Sequence, residues 1–240
     1  LGYVGAIVLV TGSITTGLLA AALADAPGPW ILLALGFCGV LAASQFSHTL
    51  INGLSTLVAL PRALARMDFA KGIPAAQRSL VVVPTLLTSI DGVERLIEAL
   101  EVRFLGNRDR HLHFGLLTDL RDADSEVMAG DALLVETAAR GIQRLNATYS
   151  DDEASNTFFL FHRPRRWNPV ERMWMGYERK RGKLCELNAL LRGRGADRFE
   201  RVIGTLQVLR EVRFVITLDT DTSLPRDAAR AMIGTMAHPL

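Results

Sequence analysis

From Leu1 to Leu60 the sequence has no lysine, no arginine and no glutamate, and its one acid there is Asp25. All 27 Lys and Arg of the 240 residues therefore fall between Pro61 and Leu240. An asymmetry of that size marks a boundary between two solvents, not between two soluble domains. Cysteine is scarce as well, with Cys38 in the apolar part and Cys185 in the polar part. That excludes a disulfide framework and suits a reducing compartment for the polar part. A net charge of +2, with acids balancing the basic clusters, gives no ground for a nucleic-acid partner. Internal repeats and low-complexity segments are missing too. What the chain has in excess is apolar residues, 49% of the total, with a mean hydropathy of +0.22.

The excess lies at the front. Leu1 to Ala24 carries no charge and as a helix would be roughly 36 Å long, enough for a hydrocarbon core of about 30 Å. A signal peptide would have a shorter apolar region behind positive charge. Asp25 to Pro29 reads as a tight polar turn, and Trp30 to Leu50 as a second span opened by an interfacial tryptophan. Ile51 to Leu60, polar on one side and apolar on the other, reads as an interfacial helix stopped by Pro61. Arg62, Arg66, Lys71 and Arg78 follow, and the positive-inside rule places this flank in the cytoplasm. Residues 1–60 are thus expected to form a transmembrane hairpin plus interfacial helix, and 61–78 a basic cytoplasmic linker.

Beyond the linker, apolar strand patterns alternate with helical ones. "SLVVVPTLLTS" (79–89) is a β-branched run of the kind found in buried parallel strands. Residues 91–105 carry a helical stripe of Val93, Leu96, Ile97, Leu100 and Phe104. A second strand is expected over 111–120, a helix over 125–149, a third strand over 157–163 and a basic helix over 177–193. "RFVITLDTD" (213–221) completes the pattern as a fourth strand. Such alternation predicts an open, Rossmann-like α/β sheet with ligands at the carboxyl ends of its strands.

Pro84–Thr85, Asp119 and the pair Asp219/Asp221 all fall at such ends. Two carboxylates separated only by Thr220 repel unless a cation or a polar cage holds them. They fit a solvated strand end, the nucleophile loop of a phosphotransferase, or a site for Mg²⁺ or Mn²⁺ whose remaining positions take diphosphate oxygens. "HRPRRWNP" (162–169) reads as a phosphate grip, a solvated loop or a lipid-docking surface. Trp167 and Trp174 suit core packing or stacking on a sugar ring. His111 and His113 lack a third metal ligand, and Cys185 is expected to pack on its helix.

The strand-end blocks resemble the GT-A glycosyltransferase pattern of processive polysaccharide synthases, including Lys183 followed by Asn188 in "RGKLCELN". "LVVVPTLLTS", "FLFHRPRRWNPVERMWMGYERKRGKLCELNALLRG" and "DTSLPRDAARAMIGTMAHPL" resemble, more closely, the cyclic β-1,2-glucan synthase family, from about Arg62 to Leu240. The resemblance implies an inverting glucosyltransferase of the bacterial inner membrane, with UDP-glucose as donor and a growing glucan as acceptor. It implies Asp219 and Asp221 as metal and diphosphate ligands, Asp119 at the uracil, Pro84 and Thr85 along the uridine, and Lys183 at the diphosphate. On this reading residues 79–240 are the first part of an incomplete GT-A-like domain. The chain is a fragment, and no catalytic residue is expected within it because the family's general base lies past the Asp-x-Asp strand. Two alternatives from other classes are a haloacid-dehalogenase-like phosphotransferase, through "VITLDTDTS", and a membrane-anchored nucleotide-binding protein without catalysis.

Overall fold

The computed structural model describes residues 2–59, 64–149 and 156–239. They form two compact units, Leu1–Ala63 and Leu64–Leu240.

The first unit is a hairpin of α1 (Gly2–Leu23) and α2 (Pro29–Val58). Pro29 opens α2, where a missing N–H costs nothing, and Gly28 precedes it as the N-cap. The seam between the helices is made of small residues. Gly39, Ala43 and Ser47 are buried on α2, and Thr15 on α1. A Cβ on Gly39 would stand 3.5 Å from the Thr15 methyl, so these side chains let the helices approach closely. Ser47 satisfies its hydroxyl within its own helix, donating to Ala43 O at 2.7 Å. Tyr3 donates its hydroxyl to Asn52 and packs edge-on against His48. Elsewhere the hairpin turns apolar side chains outward. Val8, Leu9, Phe37 and Trp30 are all more than 60% exposed. Both helices are long and apolar enough to cross a membrane, and too little of either is buried for a soluble core helix.

The structure does not divide α2 into a span and a separate interfacial helix. The 30-residue helix is continuous through Ile51 to Val58, because that stretch contains no helix breaker except Gly53. At about 45 Å it exceeds a hydrocarbon core of about 30 Å. Pro61 and Arg62 lie outside the described residues.

The second unit opens with β1 (Ser79–Leu87) and α3 (Ile90–Gly106). Ser89 caps α3 by accepting from Gly92 N at 3.1 Å, and Val93, Ile97, Leu100 and Phe104 bury its stripe. Next come β2 (Leu112–Leu120), α4 (Asp131–Tyr149) and β3 (Phe158–His162). Helix α4 starts later than expected. Gly130, at φ 93°, breaks the run, and the Asp131 carboxylate accepts from Met128 N at 2.7 Å, closing a turn there. A short hairpin follows, β4 (Arg166–Asn168) with β5 (Met173–Met175), then α5 (Arg179–Leu191). The unit ends with β6 (Arg201–Ile203), α6 (Leu206–Leu209), β7 (Phe214–Thr217) and α7 (Ala228–Ala237).

Five strands form one mixed sheet in the order β6-β3-β2-β1-β7, parallel throughout except for β6. The pleat of β1 sorts the core. Val81 and Val83 face α3, α4 and α7, together with Phe114, Leu116, Phe158 and Leu160. Leu80 and Val82 face Leu187, Leu190 and Leu191 of α5, with Phe159 and Phe161 beside them. Burial on both faces explains why β1 to β3 read as near-continuous apolar runs. Strand β7 ends at Thr217, not at Asp221 as the sequence pattern suggests. Leu218 N still reaches Val82 O at 3.0 Å, but Thr222 N then bonds Asp219 O at 3.1 Å and the chain turns. The two aspartates therefore sit on a turn.

Candidate functional site

From β1 the chain steps to β2 and β3 on one side, and β7 lies on the other. The strand order thus reverses between β1 and β7, and in open α/β sheets ligands bind beyond the carboxyl ends of the strands at such a point. A cavity of about 370 Å³ opens there, bounded by Pro84, Thr85 and Leu86 of β1, Asp119 of β2, Lys180 and Lys183 of α5, and Thr220.

Pro84 fits its strand because β7 is short. Val82 O takes the last hydrogen bond from that side, so the β1 edge two residues further on needs no donor.

Asp119 is 1% exposed at the end of β2. Arg163 grips it with two bonds, Nε to Oδ1 at 2.8 Å and Nη2 to Oδ2 at 2.9 Å. Lys183 Nζ lies 3.0 Å from Oδ2 and donates to Thr85 O at 2.7 Å. Glu186 accepts from Arg163 Nη1 at 2.9 Å. Two buried cations thus meet two carboxylates, and this even balance is what makes burial of all four tolerable. Burial pulls the Arg163 guanidinium down, but its bonds to Asp119 and Glu186 outweigh this and leave it raised. Burial holds the Lys183 ammonium below its ordinary value, only partly offset by Asp119. Gly176 closes over the network, since a Cβ there would overlap the Asp119 carboxylate.

Asp219 and Asp221 are exposed. Their turn is pinned from behind by buried Arg103, which donates to the carbonyls of Thr220 and Thr222 at 2.8 Å. In front, Lys180 forms an ion pair with the Asp219 carboxylate. Among the described residues no cluster of three or more His, Cys, Asp or Glu could hold a metal. Two carboxylates on one turn fit a hard divalent ion only if waters or ligand phosphates fill its other positions, as Mg²⁺ sites commonly arrange.

All six residues singled out from sequence thus lie at one end of the sheet. Pro84, Thr85, Asp119 and Lys183 line the cavity, and Asp219 and Asp221 flank Thr220 at its rim. Sequence reasoning missed Arg163, Glu186, Gly176 and Lys180. The 162–169 run is no solvated loop over its first half. His162, Arg163 and Arg165 are buried, and Arg165 pairs with Asp131. The Nδ1 of His162 meets Thr118 Oγ1 at 2.9 Å, and burial lowers its pKa to about 4. His111 and His113 do not converge on a common point. Their Nδ1 atoms face Ile73 O at 2.7 Å and Asn156 O at 3.1 Å. Cys185 is exposed rather than packed. Trp167 and Trp174 pair across the β4–β5 hairpin with ring centroids 6.0 Å apart, and Trp167 is half exposed.

No protein-family model matches the chain. Over 200 residues, 83% of its length, it is 44% identical to the cyclic beta-(1,2)-glucan synthase NdvB of Rhizobium meliloti (strain 1021). The chain is homologous to a segment of that cyclic β-1,2-glucan synthase. It spans about 7% of the relative's length.

Proposed function

We propose that this chain forms the nucleotide-sugar side of an inverting glucosyltransferase that builds β-1,2-glucan, in cyclic products, from UDP-glucose. The observation that carries the reading is the cavity at the strand switch point, with cations along α5 and two exposed carboxylates on the turn at its rim. The name of the homologous synthase supports the reaction class, and the crevice supports a nucleotide donor. Pro84 and Thr85 line the uridine side. The buried Asp119–Arg163–Lys183 network forms the floor and keeps the β1, β2 and α5 walls at fixed separation.

Asp219 and Asp221 would hold Mg²⁺ or Mn²⁺, which when bound supplies positive charge to the leaving diphosphate. Inversion also needs one base to take the proton of the acceptor hydroxyl, a role we assign to no residue of this chain. The hairpin of α1 and α2 would anchor the unit in the bacterial inner membrane. Arg66, Lys71 and Arg78 would then form the cytoplasmic flank, where a nucleotide sugar is available. A phosphotransferase gains no support from the geometry. The Asp219 turn follows the parallel strands β1, β2 and β3 of the same sheet, whereas the phosphotransferase nucleophile loop opens its domain.

Isothermal titration of the detergent-solubilised chain tests the reading. UDP and UDP-glucose should bind in the presence of Mn²⁺, at least tenfold more tightly than GDP or ADP. Equal affinity for all three diphosphates, or none, would overturn it.

A further inference from the structure

The cations around the crevice are not equivalent. Buried Arg163 is shared by the buried Asp119 and Glu186, and buried Lys183 by Asp119 and the carbonyl of half-buried Thr85. Arg179 is split between Asp122 at 2.9 Å and Glu171 at 3.2 Å. Among the described residues Lys180 has one partner, the Asp219 carboxylate, and both side chains are more than half exposed. Two successive left-handed residues, Glu178 at φ 53° and Arg179 at φ 47°, turn the chain sharply into α5 and set Lys180 in its first turn.

Of these four cations, then, Lys180 is the one that can move by breaking a single exposed pair. Its partner is the carboxylate to which the reading above gives a divalent ion. An ammonium and a divalent cation cannot both sit close against one exposed carboxylate without mutual repulsion.

We propose that Lys180 is the resident counter-ion of Asp219 in the ligand-free crevice and that it exchanges. When a divalent ion takes Asp219, Lys180 is released into the cavity and pairs with the diphosphate of the ligand. Lys183, by contrast, stays where it is as a positioning residue, holding β1 to β2 through Thr85 and Asp119. The exchange rests on the proposed nucleotide-sugar reading and adds to it a switch of partners with a sign that can be measured.

An exposed lysine–carboxylate pair is weak, so the competition should be modest, about two- to fivefold in affinity. In Lys180→Gln, Mn²⁺ alone should bind more tightly than to wild type by that factor, because its competitor is gone. UDP binding at saturating Mn²⁺ should weaken by a similar or larger factor, because a diphosphate partner is gone. Lys180→Arg, which keeps the cation and can fork onto the carboxylate, should bind Mn²⁺ no more tightly than wild type while retaining UDP. A residue with a merely structural role would weaken both ligands together or neither. Mn²⁺ titrations followed by electron paramagnetic resonance, with UDP titrations by calorimetry, read both quantities on the full chain in detergent. Wild-type binding of Mn²⁺ and UDP with no rise in Mn²⁺ affinity in Lys180→Gln would overturn the exchange alone. A wild-type chain that takes up neither ligand would overturn the nucleotide-sugar reading and the exchange with it.

Discussion

Asp119 and Asp219 are carboxylates of one crevice, and the fold holds them in opposite ways. Asp119 is buried at the end of a central strand, and Arg163 and Lys183 take both of its oxygens. The Asp219 side chain is 61% exposed on a turn and meets one surface ammonium. The difference separates architecture from chemistry. A carboxylate whose partners are buried with it cannot give them up without a large penalty, whereas one whose partner is a surface lysine can trade it for a ligand. The two units of the chain show the same division on a larger scale. The hairpin exposes its apolar side chains and buries small ones, while the α/β unit buries aromatic residues on both sides of a sheet and keeps its replaceable charges outside.

The contrast is broken most severely at Arg163. Arg163→Ala leaves Asp119 and Glu186 buried without their shared cation, and loss of one member of a buried pair costs about 3–5 kcal/mol. Thermal or urea unfolding should show the α/β unit destabilised by that order, with UDP binding lost along with the fold. A change under about 1 kcal/mol would mean the network is not what holds the crevice floor.

A smaller effect per residue is expected from pH. His113 and His162 are buried neutral, and burial holds both near pKa 4, below an unfolded value of about 6.5. The unfolded chain therefore binds more protons between those limits. Stability should be full above about pH 6.5, fall as pH drops toward 4, and gain no further loss from these groups below that. Each histidine contributes about 1.4 kcal/mol for every pH unit separating its folded and unfolded values, about 3 kcal/mol apiece across the whole window. Urea midpoints measured from pH 7 to pH 4 should show a shallower slope in His162→Gln than in wild type. Equal slopes would remove His162 from the explanation.

Much of this contrast is legible in the sequence, and the illegible part has a common cause. The β-branched run of β1, the stripe of α3 with Ser89 ahead of it, and the apolar hairpin without Lys, Arg or Glu are local signals. The first two fall close to the observed bounds of their elements, while the second span, expected to end at Leu50, runs on to Val58. The strand-end position of Asp119, Asp219 and Asp221 is local too, and the three lie at one end of the sheet. Partnerships are not local. Arg163 finds Asp119 44 residues away, and Lys180 finds Asp219 39 residues away. A run such as "HRPRR" shows its charge but not its burial, which depends on carboxylates supplied by other elements. The β4–β5 hairpin escapes notice because strands of three residues are too short to show a period of two. The early end of β7 escapes because Leu218 continues the apolar pattern after the ladder has stopped.

Whether the exposed carboxylate pair does chemistry decides the rest. Asp221→Asn tests this directly, since Asp221 is exposed and its neutralisation should change stability by under about 0.5 kcal/mol. Calorimetric titration of UDP into wild type and Asp221→Asn, each with and without Mn²⁺, is the measurement. Mn²⁺-dependent UDP binding is expected in wild type, weakened at least tenfold in the variant at an unchanged melting temperature. UDP binding that is the same in both proteins, or indifferent to Mn²⁺, would contradict the metal role of the pair.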